Sequence, residues 1–262
     1  MFGFLKKRVP KLNASYIRQS CGLSSIIFRT VTSTNAILKK YAKQDAPDLT
    51  VVVAEEQTEG RGRGEHRFFS PLGTGVYMSV LLRYGNKSFR PADITAAAGV
   101  AACEAIEAIS PHECHIKWMN DVYIEGKKVA GILAEAGRAE KDGYTKGAFV
   151  VVGVGFNVTL PEGGFPEDIR DRAGVLFREK PPRYAREKLV KHFFTSFKRL
   201  LSKDSFSLYG AYRDRLFILG KRVRYQDRDA TVSDLLPDFR LSLTFDNGET
   251  VLLDSGEVSL PQ

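Results

Sequence analysis

Apolar and polar positions recur along this chain in patterns that assign most elements. Residues 25–31, SIIFRTV, alternate well enough for a strand. Ser33 then stands where a helix N-cap belongs. The following STNAILKKYAKQ predicts a helix with Ile37, Leu38 and Tyr41 on its inner face. LTVVVAEEQ (49–57) is a short β-branched run, expected as a strand buried on both sides. A glycine- and arginine-rich stretch, 56–75, interrupts the pattern. GVYMSVLLR (75–83) alternates again, and DITAAAGVAACEAIEAIS (93–110) predicts a helix of small residues able to lie close on a sheet. Four strands follow, HIKWMND (115–121), VYIEG (122–126), KKVAGILAEA (127–136) and GAFVVVGVGFNVT (147–159), with a tight turn at Glu125-Gly126. Residues 161–183 read as a loop with one helical turn, and helices are expected near 184–203 and 205–215.

Beyond Gly220 the pattern changes to short strands only, with Asp246-Asn247-Gly248 as a hairpin turn signal. The expected architecture is α+β. A basic N-terminal extension (1–25) precedes a mixed-sheet catalytic domain (26–219) and a small SH3-like β domain (220–262). No apolar run approaches the roughly 18 to 20 residues of a membrane span, so no membrane partner is expected.

Charge narrows the function classes. The net charge is +8, but residues 1–44 carry nine of the 39 basic residues and none of the 31 acidic ones, so the remainder is close to neutral. A nucleic-acid binder spreads basic charge over a docking face; no specific nucleic-acid partner is expected here. The acid-free N-terminus fits either a plain extension of a cytoplasmic protein or, alternatively, a mitochondrial transit peptide interrupted by Pro10. Cys21, Cys103 and Cys114 show no CxxC spacing, and His66, His112, His115 and His192 show no metal-binding spacing. These argue for a reducing compartment and against a protein-bound metal site.

Three stretches carry candidate chemistry. Gly60-Arg61-Gly62-Arg63-Gly64 joins glycines, which let backbone N–H groups approach an anion, to arginine forks suited to carboxylate or phosphate. KWMNDVYIEGKKVAGILAEA (117–136) places Lys117, Asn120 and Asp121 at a strand end. Lys128 begins the returning strand, and Gly131 removes a side chain from its middle. A carboxylate beside a lysine suits the handling of phosphates and an amine nucleophile, or forms a surface ion pair on a hairpin. GVGFNV (153–158) ends a buried strand; Asn157 is placed either to read a base edge or to bond a turn.

Taken in order, STN at 33–35, Gln57 with GRGR and a following SPLG, KWMND with GKKVAGILAE, and GVGFN resemble the motifs of biotin protein ligases. RDR (213–215) with GKRV (220–223), and GEVSL (256–260), are similar to that family's C-terminal barrel. The resemblance spans about residues 26–260. It implies a biotin/lipoate ligase-like catalytic domain that uses ATP and Mg²⁺ to form biotinyl-5′-AMP. The biotinyl group then passes to a lysine of a biotin carboxyl carrier domain of acetyl-CoA carboxylase or a related carboxylase. By position, the resemblance assigns Ser33, Thr34, Asn35, Gln57, Gly60, Arg61, Gly62, Lys128 and Gly131 to biotin. It assigns Arg63, Phe68, Lys117, Trp118, Asn120 and Asn157 to the nucleotide, and Lys128, Arg63 and Asp121 to catalysis. A homodimer is left open.

The sequence also departs from the family pattern. Gly64-Glu65-His66-Arg67-Phe68 stands where a further Gly-Arg pair and a tryptophan are usual. Glu65 is expected to face solvent, Arg67 to supply the displaced charge, and Phe68 to replace tryptophan as an aromatic lid on adenine. Met119 stands where proline is usual, which loosens the turn. Only some twenty-five residues precede the first strand, too few for the winged helix of repressor relatives, so DNA-binding repression is not implied. Two rivals remain: a lipoate or octanoyl transferase of the same fold, and a non-enzymatic RNA- or peptide-binding module.

Overall fold

The computed structural model describes residues 11–22, 24–83, 90–141 and 144–260. Seven strands form one mixed sheet: β1 (Ser25–Val31), β2 (Val51–Gln57), β3 (Gly75–Arg83), β4 (His115–Lys117), β5 (Asp121–Ile124), β6 (Lys127–Lys141) and β7 (Tyr144–Asn157). Their order is β1-β2-β3-β7-β6-β5-β4. Only β1 and β2 pair in parallel; the other neighbours are antiparallel.

The alternation read in residues 75–83 sorts the two faces. Val76, Met78, Val80 and Leu82 join Val150, Val152, Val154 and Phe156 in the main core. That face is covered by α3 (Pro91–Glu107) and α4 (Ala185–Leu201). The alanines and Gly99 of α3 allow close approach, and Pro91 occupies its first turn, where a missing N–H is harmless. On the other face α2 (Thr34–Lys43) buries Leu38 and Ala42 against Val52, Leu81, Phe149 and Val151. Ile37 and Tyr41, expected inside, are only partly buried; Thr34 and Asn35 take the inner positions instead. Because α2 covers only part of this face, with Asn35 over Gly153, the stretch over Gly131 and Gly155 is left for loop residues.

Three expectations change. The run 115–121 is two strands, β4 and β5, with Trp118 to Asn120 in the turn between them. The hairpin of β6 and β7 extends to Lys141 and Tyr144, longer than its apolar runs. Residues Ala14–Cys21 form a helix, α1, with Ile17 and Cys21 buried. Leu12 N–H donates to Glu55 Oε1 and Asn13 N–H to Glu187 Oε1, both at 2.8 Å. The described part of the supposed extension is thus built into the core; residues 1–10 and 23 lie outside the described residues. Removal of a transit peptide up to residue 25 would strip buried side chains from the fold, which counts against that reading.

After α5 (Ser205–Arg213) the chain forms a four-stranded antiparallel sheet, ordered β11-β10-β9-β8: β8 (Arg222–Tyr225), β9 (Arg228–Leu235), β10 (Leu241–Phe245) and β11 (Thr250–Leu253). The 246–248 turn appears as read, with Gly248 at φ 83° and its N–H donating to Phe245 O. Among the described residues no helix is long and apolar enough to cross a membrane.

Candidate functional site

Register brings the singled-out residues to one edge of the large sheet. Val31 pairs with Gln57, Gly75 with Asn157, Asp121 with Gly131 and Lys117 with Asp121. The starts of α2 and β6, the ends of β2, β4 and β7, and the loop 58–74 therefore open on the same side. Strand pairing gathers residues from 33 to 157 at this one end of the strands, although they are far apart in sequence.

The first group is a buried polar cradle at the start of α2. Ser33 is the N-cap by conformation, but its side chain makes no cap bond. Thr34 N–H and Oγ1 both donate to Gln57 Oε1, at 2.8 and 3.1 Å. Ser79 Oγ lies 2.7 Å from Thr34 Oγ1 and 2.6 Å from Asn35 Oδ1. Asn35 Nδ2 donates to Leu133 O at 3.2 Å and to Glu135 Oε2 at 2.7 Å. Both amide hydrogens of Asn35 are thereby occupied within the fold. A Cβ on Gly153 would collide with the Asn35 amide, so that glycine makes the room.

The second group is the glycine-arginine loop. It folds back on itself: Gly62 N–H donates to His66 O, Phe68 N–H to Gly60 O, and Arg61 pairs with Arg67. Gly60 cannot carry a side chain, because a Cβ would strike Phe68 O and Ser70 Oγ. Gln57 Nε2 donates to Ser70 Oγ at 3.0 Å, which ties the cradle to the loop. Arg61, Glu65 and Arg67 are exposed, Glu65 as expected from its sign. Arg63 reaches the C-terminal sheet region, donating to Gly256 O at 3.2 Å, and His66 lies 3.2 Å from Glu257.

The Phe68 ring lies on Gly131 and Gly155, which pair with each other across β6 and β7. A Cβ on Gly155 would come within 2.5 Å of the ring. The ring meets Tyr77 edge-on at 6.3 Å. The two glycines form a flat floor, and Phe68 currently covers it.

The third group is ionic. Lys128 Nζ sits 2.7 Å from Asp121 Oδ1, an ion pair too poorly aligned for a hydrogen bond, so this buried oxygen has compensation of charge but no directed donor. Burial pushes the Lys117 ammonium below its ordinary pKa. The Asp121 and Glu257 carboxylates oppose that shift, and Lys128 and Arg172 add to it. Asn120 Nδ2 donates to Ile132 O while Ile132 N–H returns to Asn120 O, so this side chain fastens the turn. Asn157 closes β7, its carbonyl accepting from Leu176 N–H.

Trp118 is not brought to the site. It is 3% exposed, and its indole N–H donates to Phe239 O at 2.8 Å, tying the β4–β5 turn to the second sheet. Tyr212 Oη donates to Met119 O, so the turn without proline is held from outside. Sequence reasoning missed Ser79, Glu135, Ser70, Arg172 and Glu257. Ser79 had left a trace, as a polar break in the apolar run 75–83. Two surface clefts of about 560 and 610 Å³, one along α2 and one beside Phe206, lie apart from this cluster.

The chain resembles known proteins in sequence and in fold. The profile of the Biotin/lipoate A/B protein ligase family matches residues 27–157. The chain is 34% identical over 200 residues to the bifunctional ligase/repressor BirA of Bacillus spizizenii, covering 74% of this chain and 60% of that protein. It thus spans about 60% of the length of the BirA relatives it matches first. It is 31% identical over 239 residues to the biotin--[acetyl-CoA-carboxylase] ligase of Mycobacterium tuberculosis, covering 86% of this chain and 85% of that protein. The structure is similar to the biotin protein ligase of Aquifex aeolicus in complex with biotin and ATP. The TM-score is 0.71 at 26% identity, covering 90% of this chain and 97% of the other.

Proposed function

This chain belongs to the biotin/lipoate A/B protein ligase family, and from that premise we propose that it is an ATP-dependent biotin protein ligase. It activates biotin as biotinyl-5′-AMP and passes the biotinyl group to a lysine of a carboxylase's biotin carboxyl carrier domain. The observation that carries this reading is the convergence on one sheet edge of three chemistries. These are a polar cradle with an uncapped serine (Ser33, Gln57), a glycine floor for a flat apolar body (Gly131, Gly155), and cations for phosphate and carboxylate (Arg61, Arg63, Lys117, Lys128).

In the first step two anions meet: the biotin carboxylate attacks the α-phosphate, the bond to the β-phosphate breaks and pyrophosphate leaves. Lys128, at the start of β6, stabilises the charge that builds up between them; a preorganised donor of this kind contributes about 2–4 kcal/mol in a water-excluded site. Arg63 and Arg61 extend the positive field over the phosphates. Magnesium is read as arriving with the ATP triphosphate, which supplies most of its oxygen ligands. Among the described residues no group of three His, Cys, Asp or Glu could hold an ion alone. Asp121 holds Lys128 in place and, in this reading, orients the incoming amine for attack on the acyl carbon as AMP leaves. Phe68 and the loop close over the mixed anhydride and keep water from it.

The four-stranded sheet beyond Gly220 is read as an SH3-like barrel (220–262) closing one side of the catalytic domain (26–219). The Arg224–Ser259 bridge and the loop contacts to Gly256 and Glu257 support this. The three cysteines are free and buried, and burial pushes Cys21 up to about 12, so none serves as a nucleophile; a reducing cytoplasm suits them.

The test is incubation with biotin, Mg-ATP and a carrier domain, followed by detection of avidin-reactive product. Biotinylation that needs every component is expected. Transfer of a lipoyl or octanoyl group with no biotinylation would replace the proposal with the acyl-transferase reading.

A further inference from the structure

We propose that Glu135 and Ser79 are positioning residues for biotin, acting through Asn35 and Thr34, and that Asn35 itself does not contact the ligand. The inference rests on the biotin-ligase reading and assigns a role that the family motifs do not state for this chain.

Hydrogen-bond capacity limits what Asn35 can do. A side-chain amide has two N–H donors. Asn35 gives one to Leu133 O and one to Glu135 Oε2, and its oxygen accepts from Ser79 and is walled in by Gly153. It is buried, so no donor remains for a ureido ring. Thr34 is likewise engaged, with both its N–H and its hydroxyl on Gln57. What remains is Ser33, whose hydroxyl caps nothing, and the second N–H of Gln57, whose first goes to Ser70. Ser33 and Gln57 are therefore the groups with a donor left for the ureido oxygen.

Their placement depends on a chain of contacts that crosses the sheet. Lys39 Nζ lies 2.5 Å from Glu135 Oε1, and Glu135 Oε2 takes the Asn35 amide at 2.7 Å. Ser79 donates to Asn35 Oδ1 and abuts Thr34 Oγ1 at 2.7 Å; Thr34 fixes Gln57; Gln57 fixes Ser70, whose hydroxyl donates to Phe68 O at 2.9 Å. Glu135 thus anchors the first turn of α2 to β6, about a hundred residues away in sequence. Its loss lets the cradle turn without touching the Lys128–Asp121 pair. The expected signature is selective, weakening biotin and sparing ATP.

The experiment measures biotin-dependent adenylate formation at varied biotin and varied ATP, with biotin binding by calorimetry alongside, for wild type, Glu135→Ala, Asn35→Asp and the double variant Asn35→Asp/Glu135→Gln. Glu135→Ala is expected to raise the KM and Kd for biotin about tenfold or more, the loss of one charge-assisted bond, with KM for ATP and kcat near wild type. Asn35→Asp sets a carboxylate against Glu135 and is expected to do more damage. Adding Glu135→Gln supplies an amide donor to that carboxylate and is expected to recover much of the loss. If Glu135→Ala does not fold, Glu135→Gln alone is expected to give a smaller rise in the same constants. Unchanged biotin constants, a parallel loss for biotin and ATP, or no recovery in the double variant overturns the inference. Wild type that binds biotin more tightly than Glu135→Ala, yet makes no adenylate, upholds the positioning role and sinks the ligase reading. Wild type that binds no biotin overturns both.

Discussion

Replacing Lys128 with alanine tests the chemistry most directly, and the structure separates its two effects. The first is electrostatic. Lys128 is 31% exposed at its side chain and Asp121 20%, so solvent partly screens the pair and its own contribution to stability is modest. Removing the lysine nevertheless leaves Asp121 Oδ1 buried with no donor and with Lys117 as its remaining cationic neighbour, a penalty of about 1–3 kcal/mol. The second effect falls on the transition state. Loss of a donor aimed at developing charge costs about 2–4 kcal/mol, or roughly 30- to 1,000-fold in adenylation. Lys128→Ala/Asp121→Asn divides the two: it relieves the unpaired carboxylate and restores folding stability, while adenylation stays low. The assay is biotin-dependent exchange of pyrophosphate into ATP, followed by transfer from preformed biotinyl-5′-AMP to a carrier domain. Exchange is expected to fall much further than transfer. A folded Lys128→Ala protein that exchanges pyrophosphate near the wild-type rate would refute the role given to this lysine.

Other outcomes follow from packing and charge. Gly155→Val drives Phe68 off the glycine floor, because even a Cβ there comes within 2.5 Å of the ring. Calorimetry is expected to show biotin affinity lost with far-UV circular dichroism preserved; unchanged affinity would place the ligand elsewhere. Lys117→Met is expected to lower adenylation yet leave thermal stability at pH 7 equal or higher. The lowered pKa of Lys117 means that the folded state disfavours the protonated amine, a penalty fully present below that pKa and fading as pH rises through it. The gap in melting temperature between variant and wild type should shrink toward alkaline pH; a variant less stable at pH 7 contradicts this. Deleting residues 1–24 removes Leu12 and Ile17 from the core and uncovers Glu55 and Glu187. Urea unfolding is expected to show a loss of about 3–6 kcal/mol for the two aliphatic side chains alone, and an undiminished midpoint would mean α1 is dispensable.

The fold was legible where burial leaves a period in the chain. Residues 75–83 and 149–157 are buried on a sheet, and their β-branched runs say so. The Glu125-Gly126 turn, with both residues at positive φ, was marked by its glycine. Elements whose burial is sparse were not legible. The outer part of the β6–β7 hairpin carries charged positions such as Arg138 and reads as loop. The helix α1 buries only Ile17 and Cys21, four residues apart, inside a segment whose basic composition suggested an extension. Composition dominated a two-residue apolar signal, and tertiary packing decided the outcome.

For the site, the sequence located the residues but not the direction of their side chains. STN, KWMND and the glycine-arginine loop all reach one sheet edge, because strand register carries them there. Direction is set by neighbours that no local pattern reveals. Trp118 turns into the core because Phe239, 121 residues on, offers a carbonyl to its indole. Asn35 turns to β6 because Glu135 and the Leu133 carbonyl take both its hydrogens, and because Gly153 leaves space. Phe68 lies on the floor because Gly131 and Gly155 have no side chains to exclude it. In each case a polar capacity or a missing Cβ, far away in sequence, decides whether a motif residue meets the ligand or holds another residue that does. A family motif therefore fixes membership more firmly than it fixes roles. Within STN, hydrogen-bond accounting leaves a free hydroxyl donor on Ser33 and ties both amide hydrogens of Asn35 to the scaffold.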